Sequence, residues 1–185
     1  MRTAIVDGRW LNDDEQRTWR SFLMATRLLF DQLERDLKEE SDLSFAYYEI
    51  LTRLSEAPGR SMRMATLAAA CVFDRSRLSH AVDRLVREGW VRRVPVGQDG
   101  RGQLAELTDD GMAVVRRAAP HHIERVRTLI FDRLTPDQQR VLAEISEIVA
   151  TGITDPIRLT RMGWPEAELS GPAAPGPPGP ARTAR

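Results

Sequence analysis

The chain has 185 residues, 42% of them hydrophobic, enough for one domain of ordinary size with a true core plus tails, which excludes a minimal scaffold. Its 27 basic and 27 acidic side chains balance to zero net charge, excluding a uniformly basic coat for nucleic acid. Cys71 is the single cysteine, so an intramolecular disulfide is excluded, and no apolar run reads as a secretory signal or membrane span; the expectation is a soluble cytoplasmic protein with no membrane partner.

Residues 1–11 are mixed in character and read as a flexible arm. From an N-cap at Asn12 or Asp13 a long helix begins, with acidic residues in the first turn where the macrodipole favours them. Its apolar stripe (Trp19, Phe22, Leu23, Thr26, Leu29, Phe30, Leu33, Leu37, widened by Met24 and Leu28) exceeds what one face of a small domain needs. That surplus calls for a partner helix outside the domain, most simply from a second subunit. A second helix over 44–56 turns Tyr47, Ile50, Leu51 and Leu54 inward and stops at Ala57-Pro58-Gly59. Ser61–Arg63 is a candidate minor strand, and Met64 to Cys71 a short Ala-rich helix.

The stretch from Asp74 to Thr108 carries the sharpest pattern. After a turn at Val72-Phe73-Asp74, with Asp74 as N-cap, a helix buries Leu78, Ala81, Val82, Leu85 and Val86 on one face. The centre of its opposite face carries Ser76, His80, Asp83 and Arg87, flanked by Arg77, Ser79 and Arg84. Two short helices three residues apart, the second polar and charged outside, have the geometry of a helix-turn-helix. Gly89 closes the second helix, Val91–Val96 and Leu104–Leu107 read as strands, and 98–102 as a Gly-rich hairpin tip bearing Arg101. A narrow hairpin can put one guanidinium into a minor groove, with Asp99 holding Arg101 extended. Asp83 faces the same way, but a carboxylate repels phosphate, so its expected partner is intramolecular: Arg101 or another wing arginine. Charge follows the same division. From Arg60 to Gln103 nine arginines face four acidic residues, whereas from Trp10 to Ser44 five basic residues face nine acidic ones. Arg abundance alone says little, because only Lys38 among the basic residues is a lysine, as GC-rich codon usage would give.

Thr108 caps a long helix whose apolar positions run from Met112 to Leu134, with Pro120 expected to bend it. Thr135-Pro136-Asp137-Gln138 is a capping box that starts a last helix, expected to bury Val141, Leu142, Ile145, Ile148 and Val149 and to stop at Gly152. Seven of the eleven prolines lie from Asp155 onward, in a segment read as a disordered tail. No internal repeat is evident.

In order and spacing these fragments resemble the MarR family of transcriptional regulators over about residues 12 to 153. The motifs are Ser61-Met62-Arg63-Met64 with Leu67-Ala68, Arg75-Ser76-Arg77-Leu78-Ser79 with Val82-Asp83-Arg84-Leu85, Gly89-Trp90-Val91-Arg92-Arg93, Asp99-Gly100-Arg101-Gly102, and Leu107-Thr108-Asp109-Asp110-Gly111. The resemblance implies a mainly α fold with a small β-wing: a winged helix-turn-helix DNA-binding region (45–108) flanked by long dimerisation helices (12–44 and 109–153), with a Pro-rich tail at 154–185. It implies a homodimer that binds a pseudo-palindromic double-stranded DNA operator, as a repressor or occasionally an activator, with half-sites roughly 10 bp apart. Carried over by position, Ser76, Arg77, Ser79, His80 and Arg84 touch bases or phosphates in the major groove together with Arg75. Arg101 enters the minor groove with Asp99 orienting it, and Arg63 and Thr66 contact phosphate. Many members bind small aromatic or anionic effectors in a cleft between the dimerisation helices and the DNA-binding lobe; Trp19, Arg27, Tyr47 and His121 are the candidates here, with core packing the competing account of Trp19 and Tyr47.

Other chemistries find less support. Cys71 reads as a buried small hydrophobe, and family members that sense oxidants keep their cysteine near the first helix. One cysteine and three histidines supply no ligand set of metal spacing, so no metal or other cofactor is expected, and adjacent His121 and His122 diverge by about 100° on a helix. GxGxxG, GxxxxGK[ST], HExxH and GxSxG are absent, arguing against an enzyme. The alternative is a winged helix that contacts proteins and shows no salt-dependent binding to duplex DNA.

Overall fold

The computed structural model of the protein describes residues 10–96, 102–155 and 159–160. Helix α1 spans Asp13–Ser41, and its start is fixed by a reciprocal cap: the Asn12 side chain accepts from the Glu15 amide at 2.9 Å, and the Glu15 carboxylate accepts from the Asn12 amide at 2.8 Å. It ends at Asp42, whose backbone turns left-handed (φ 54°). Helix α2 (Phe45–Glu56) starts at the Ser44 cap and stops ahead of Pro58. Strand β1 (Ser61–Arg63) leads directly into α3 (Met64–Ala70), and Asp74 caps α4 (Arg75–Arg87) by accepting from the Arg77 amide at 2.7 Å. Strands β2 (Val91–Val96) and β3 (Gly102–Leu107) follow, then α5 (Asp109–Leu129) and α6 (Pro136–Ile153).

The sheet has the order β1-β3-β2, antiparallel throughout. Val91 pairs with Leu107 and Val96 with Gly102 along the hairpin, while Ser61 pairs with Glu106 and Arg63 with Leu104 on the other edge. The core sits between α2, α3, α4, the sheet and the first half of α5, with Ile50, Leu51, Leu54, Leu67, Val82 and Leu85 fully enclosed. Gly111 is required where α5 leaves the sheet: a Cβ there would lie 2.2 Å from the Trp90 carbonyl oxygen. Cys71 is buried, and burial pushes its thiol up to about 12, so it packs as a small apolar group.

Several expectations are adjusted. Tyr48, not Tyr47, is the buried tyrosine of α2; Tyr47 is half-buried. Helix α5 runs through Pro120 without a break but ends at Leu129, and a short 3-10 turn over Phe131–Arg133 separates it from α6. Gly152 lies inside α6, which reaches Ile153 because its end is exposed and tolerates the glycine. The largest difference is α6 itself, where no residue is buried: Leu142, Ile145 and Ile148 are 42%, 50% and 54% exposed. The apolar stripe of α1 is likewise open at Trp19, Phe22, Met24, Leu28 and Phe30. Both stripes lack a partner among the described residues. No helix among the described residues is long and apolar enough to cross a membrane.

Candidate nucleic-acid interface

Helix α4 presents its polar face outward because Leu78, Ala81, Val82 and Leu85 anchor the other side in the core. Arg75, Ser76, Arg77, His80, Asp83, Arg84 and Arg87 are all exposed, and Ser79 is half-buried. The helix-turn-helix bend is tight, with Val72 in a left-handed conformation (φ 53°). At the start of α4 the Arg77 guanidinium stacks 4.1 Å over the ring of Phe73, which orders that side chain before any partner arrives.

The wing is tied to this helix by Arg93. Its Nη2 donates to the Asp83 carboxylate at 2.8 Å and to the Ser79 hydroxyl at 3.1 Å, and its Nη1 donates to the Gln103 side-chain oxygen at 2.6 Å. One guanidinium thus joins α4, β2 and β3. The expected intramolecular partner of Asp83 is therefore present, and it is a wing arginine of strand β2. Between α3, α4 and the wing root lies a notch of about 610 Å³, lined by Arg63, Arg75, Arg93, Ser79 and Gln103 among others, with no carboxylate among the described residues that line it. Arg63 and Arg75 are exposed and form no salt bridge among the described residues. Arg84, by contrast, is paired with Glu88 at 2.9 Å. Thr66 is half-buried beside Arg63 in a neighbouring groove. Asp99 and Arg101 lie outside the described residues.

The candidate effector residues are not gathered at one place. Tyr47 lines a cleft of about 710 Å³ between the end of α1, the start of α2, the back half of α4 and α5. Trp19 and Arg27 stand on the open stripe and flank of α1, and His121 is exposed, 3.9 Å from the Glu40 carboxylate. The cleft takes its charge from residues that spacing alone did not single out, Lys38 and Arg117, together with Arg84 and Arg87, against Asp42 and Glu88; His80 also lines it. His122, not His121, is the enclosed histidine. Its ring lies 4.6 Å from Tyr48 and 6.0 Å from Phe45 by centroid, and its Nδ1 is buried without a hydrogen-bond partner. Among the described residues no group of three or more His, Cys, Asp or Glu could hold a metal ion.

A helix-turn-helix with an outward polar second helix, flanked by an antiparallel hairpin and framed by long helices with open apolar stripes, defines a winged-helix DNA-binding protein. Comparison with known proteins agrees. A family model described as MarR family matches residues 41–102. The chain superimposes on the crystal structure of Sco3205, a MarR family transcriptional regulator of Streptomyces coelicolor in complex with DNA, with 49% identity and a TM-score of 0.78, covering 81% of this chain and 94% of that one. PcaV of the same organism, in complex with its natural ligand, is 27% identical at a TM-score of 0.61, over 80% of this chain and all of that one. The regulator PecS of Dickeya dadantii is 30% identical over 110 residues, a stretch that spans 58% of this chain and 66% of that protein. The chain belongs to the MarR family of transcriptional regulators, which are DNA-binding proteins and not enzymes.

Proposed function

We propose that the protein acts in the cytoplasm as a homodimeric, ligand-responsive repressor of a pseudo-palindromic operator. The observation that carries the reading is the notch where α3, α4 and the wing root meet: among the described residues it is lined by three arginines and no carboxylate, and two of the three form no salt bridge. An arginine-lined notch beside an exposed recognition helix fits a phosphate backbone, and in this reading Ser76, Arg77, Ser79 and His80 contact base edges. In this reading Arg63, Thr66 and Arg75 contact phosphate and Arg84 contributes at the edge of the groove. Arg101, with Asp99, reads the minor groove. The open stripes of α1 and α6 support a second copy as partner, since each large apolar side chain that becomes buried gains about 1.5–3 kcal/mol.

The cleft beside Tyr47 supports an effector of anionic aromatic character. It offers two aromatic rings, Tyr47 and Trp90, and four permanent cations against two carboxylates. Its floor includes Arg84 and His80 of α4, so an occupant would bias the position of the recognition helix directly. Trp19, Arg27 and His121 do not line this cleft, and the effector reading rests on Tyr47 alone among the four.

Footprinting on the DNA upstream of the protein's own coding region and its neighbours tests the reading. A symmetric protected site, lost in Arg77→Ala while the variant stays folded and dimeric, is the expected outcome. Equal, salt-independent retention of every duplex would overturn it.

A further inference from the structure

We propose that the groove bounded by the end of α2, β1 and α3 is the seat of the chain's own segment 161–169, and that occupancy of this seat restrains DNA binding. The starting point is Leu159. It follows a helix with no buried residue, yet it is 2% exposed and lies outside the principal core cluster. The next residue, Thr160, lines the groove, which has a volume of about 490 Å³. Thr160 is thus the point from which the sequence that follows it would enter the groove.

Groove and segment are chemically matched. Ala57, Pro58, Met62, Ala70 and Leu104 make its apolar wall. Its charged residues are Arg53 and Arg63 against Glu56; neither arginine forms a salt bridge among the described residues, though Arg53 lies in the field of Glu49. The sequence after Thr160 reads Arg161-Met162-Gly163-Trp164-Pro165-Glu166-Ala167-Glu168-Leu169, one large aromatic followed closely by two carboxylates. Trp164 is four residues beyond Thr160, a reach of at most about 14 Å, so it can meet the apolar wall while Glu166 and Glu168 meet the two arginines.

The functional consequence rests on the DNA-binding reading. Arg63 and Thr66, both on this groove, are two of the proposed phosphate contacts. A carboxylate placed on Arg63 removes a cation from the DNA face, so seat and duplex compete.

The test compares the full chain with a version ending after Thr160. Backbone hydrogen exchange over residues 57–66 is followed in both, and each is titrated with a labelled duplex carrying the upstream sequence. We expect truncation to speed exchange in this segment and to tighten duplex binding by about fivefold. Trp164→Ala in the full chain should speed exchange, and Glu166→Gln with Glu168→Gln should tighten binding without truncation. Identical exchange in the two proteins overturns the seat; faster exchange with unchanged duplex affinity overturns the restraint. If neither protein binds duplex, the DNA-binding reading fails, the restraint fails with it, and exchange still decides whether the segment is seated.

Discussion

Arg93 of β2 and Asp83 of α4 stand 2.8 Å apart, and this pair locks the wing to the recognition helix. Ser79 and Gln103 accept from the same guanidinium, so one side chain ties the helix to both strands of the wing. Arg93→Ala should weaken operator binding by about tenfold or more, because two reading elements must be held in register to bind at once. The pair itself is only partly buried, so a double-mutant cycle with Asp83→Asn should give a coupling of about 0.5–1 kcal/mol in chemical denaturation. An affinity that survives Arg93→Ala would mean that the wing is positioned by its strands alone.

Charge at the notch predicts a specific salt response. Each phosphate that the protein no longer neutralises lowers the slope of log affinity against log salt by about one. Arg63→Ala and Arg75→Ala, which break no salt bridge among the described residues, should each reduce that slope by about one and weaken all duplex sequences alike. Arg77→Ala should instead relax base preference, since its guanidinium is held over Phe73 at the head of α4. A slope unchanged in Arg75→Ala would place that arginine off the DNA.

The helical elements were readable because caps and periodicity are local: Asn12, Ser44, Asp74, Thr108 and Thr135 all accept from the amide three residues on. Asp83 was also readable as a brace, since repulsion from phosphate argued for an arginine partner. Which arginine it would be was not, because the choice depends on the pairing register of β2 with β3, a tertiary property. The effector cleft was the least legible. Lys38, Arg84 and Arg117 come from three helices, and nothing in their spacing announces that the bend after α1 brings them together. His121 and His122 were separable only by knowing which side of α5 packs on Tyr48.

The open stripes make a prediction that separates folding from assembly. Ile145 and Leu28 are exposed within one chain, so Ile145→Asp or Leu28→Asp should leave the winged region folded, with its own stability changed by no more than about 0.5 kcal/mol. In a dimer the same carboxylate would be buried without a partner, and sedimentation should report monomers. Operator binding should fall with it, because one reading head covers a single half-site. A variant that sediments as the parent protein does would remove these side chains from the interface.

Burial of His122 gives a stability that depends on pH. Desolvation between Tyr48 and Phe45 holds the imidazole pKa below its ordinary 6.5, so the folded chain favours the neutral ring. Between the lowered folded value and 6.5 the unfolded chain binds more protons than the folded one, and stability therefore rises with pH across that window. Above 6.5 the ring is neutral in both states and its contribution is flat; as pH falls below 6.5 stability is lost, levelling off once the folded ring is also protonated. The neighbouring Asp36–Arg125 pair at 2.6 Å acts in a separate range, because Asp36 titrates below ordinary carboxylate values. His122→Phe keeps the aromatic packing and removes the titration. Denaturation midpoints measured from pH 7.5 to 5 should fall more steeply for the parent chain than for this variant. Parallel curves for the parent and His122→Phe would show that the acid sensitivity originates elsewhere.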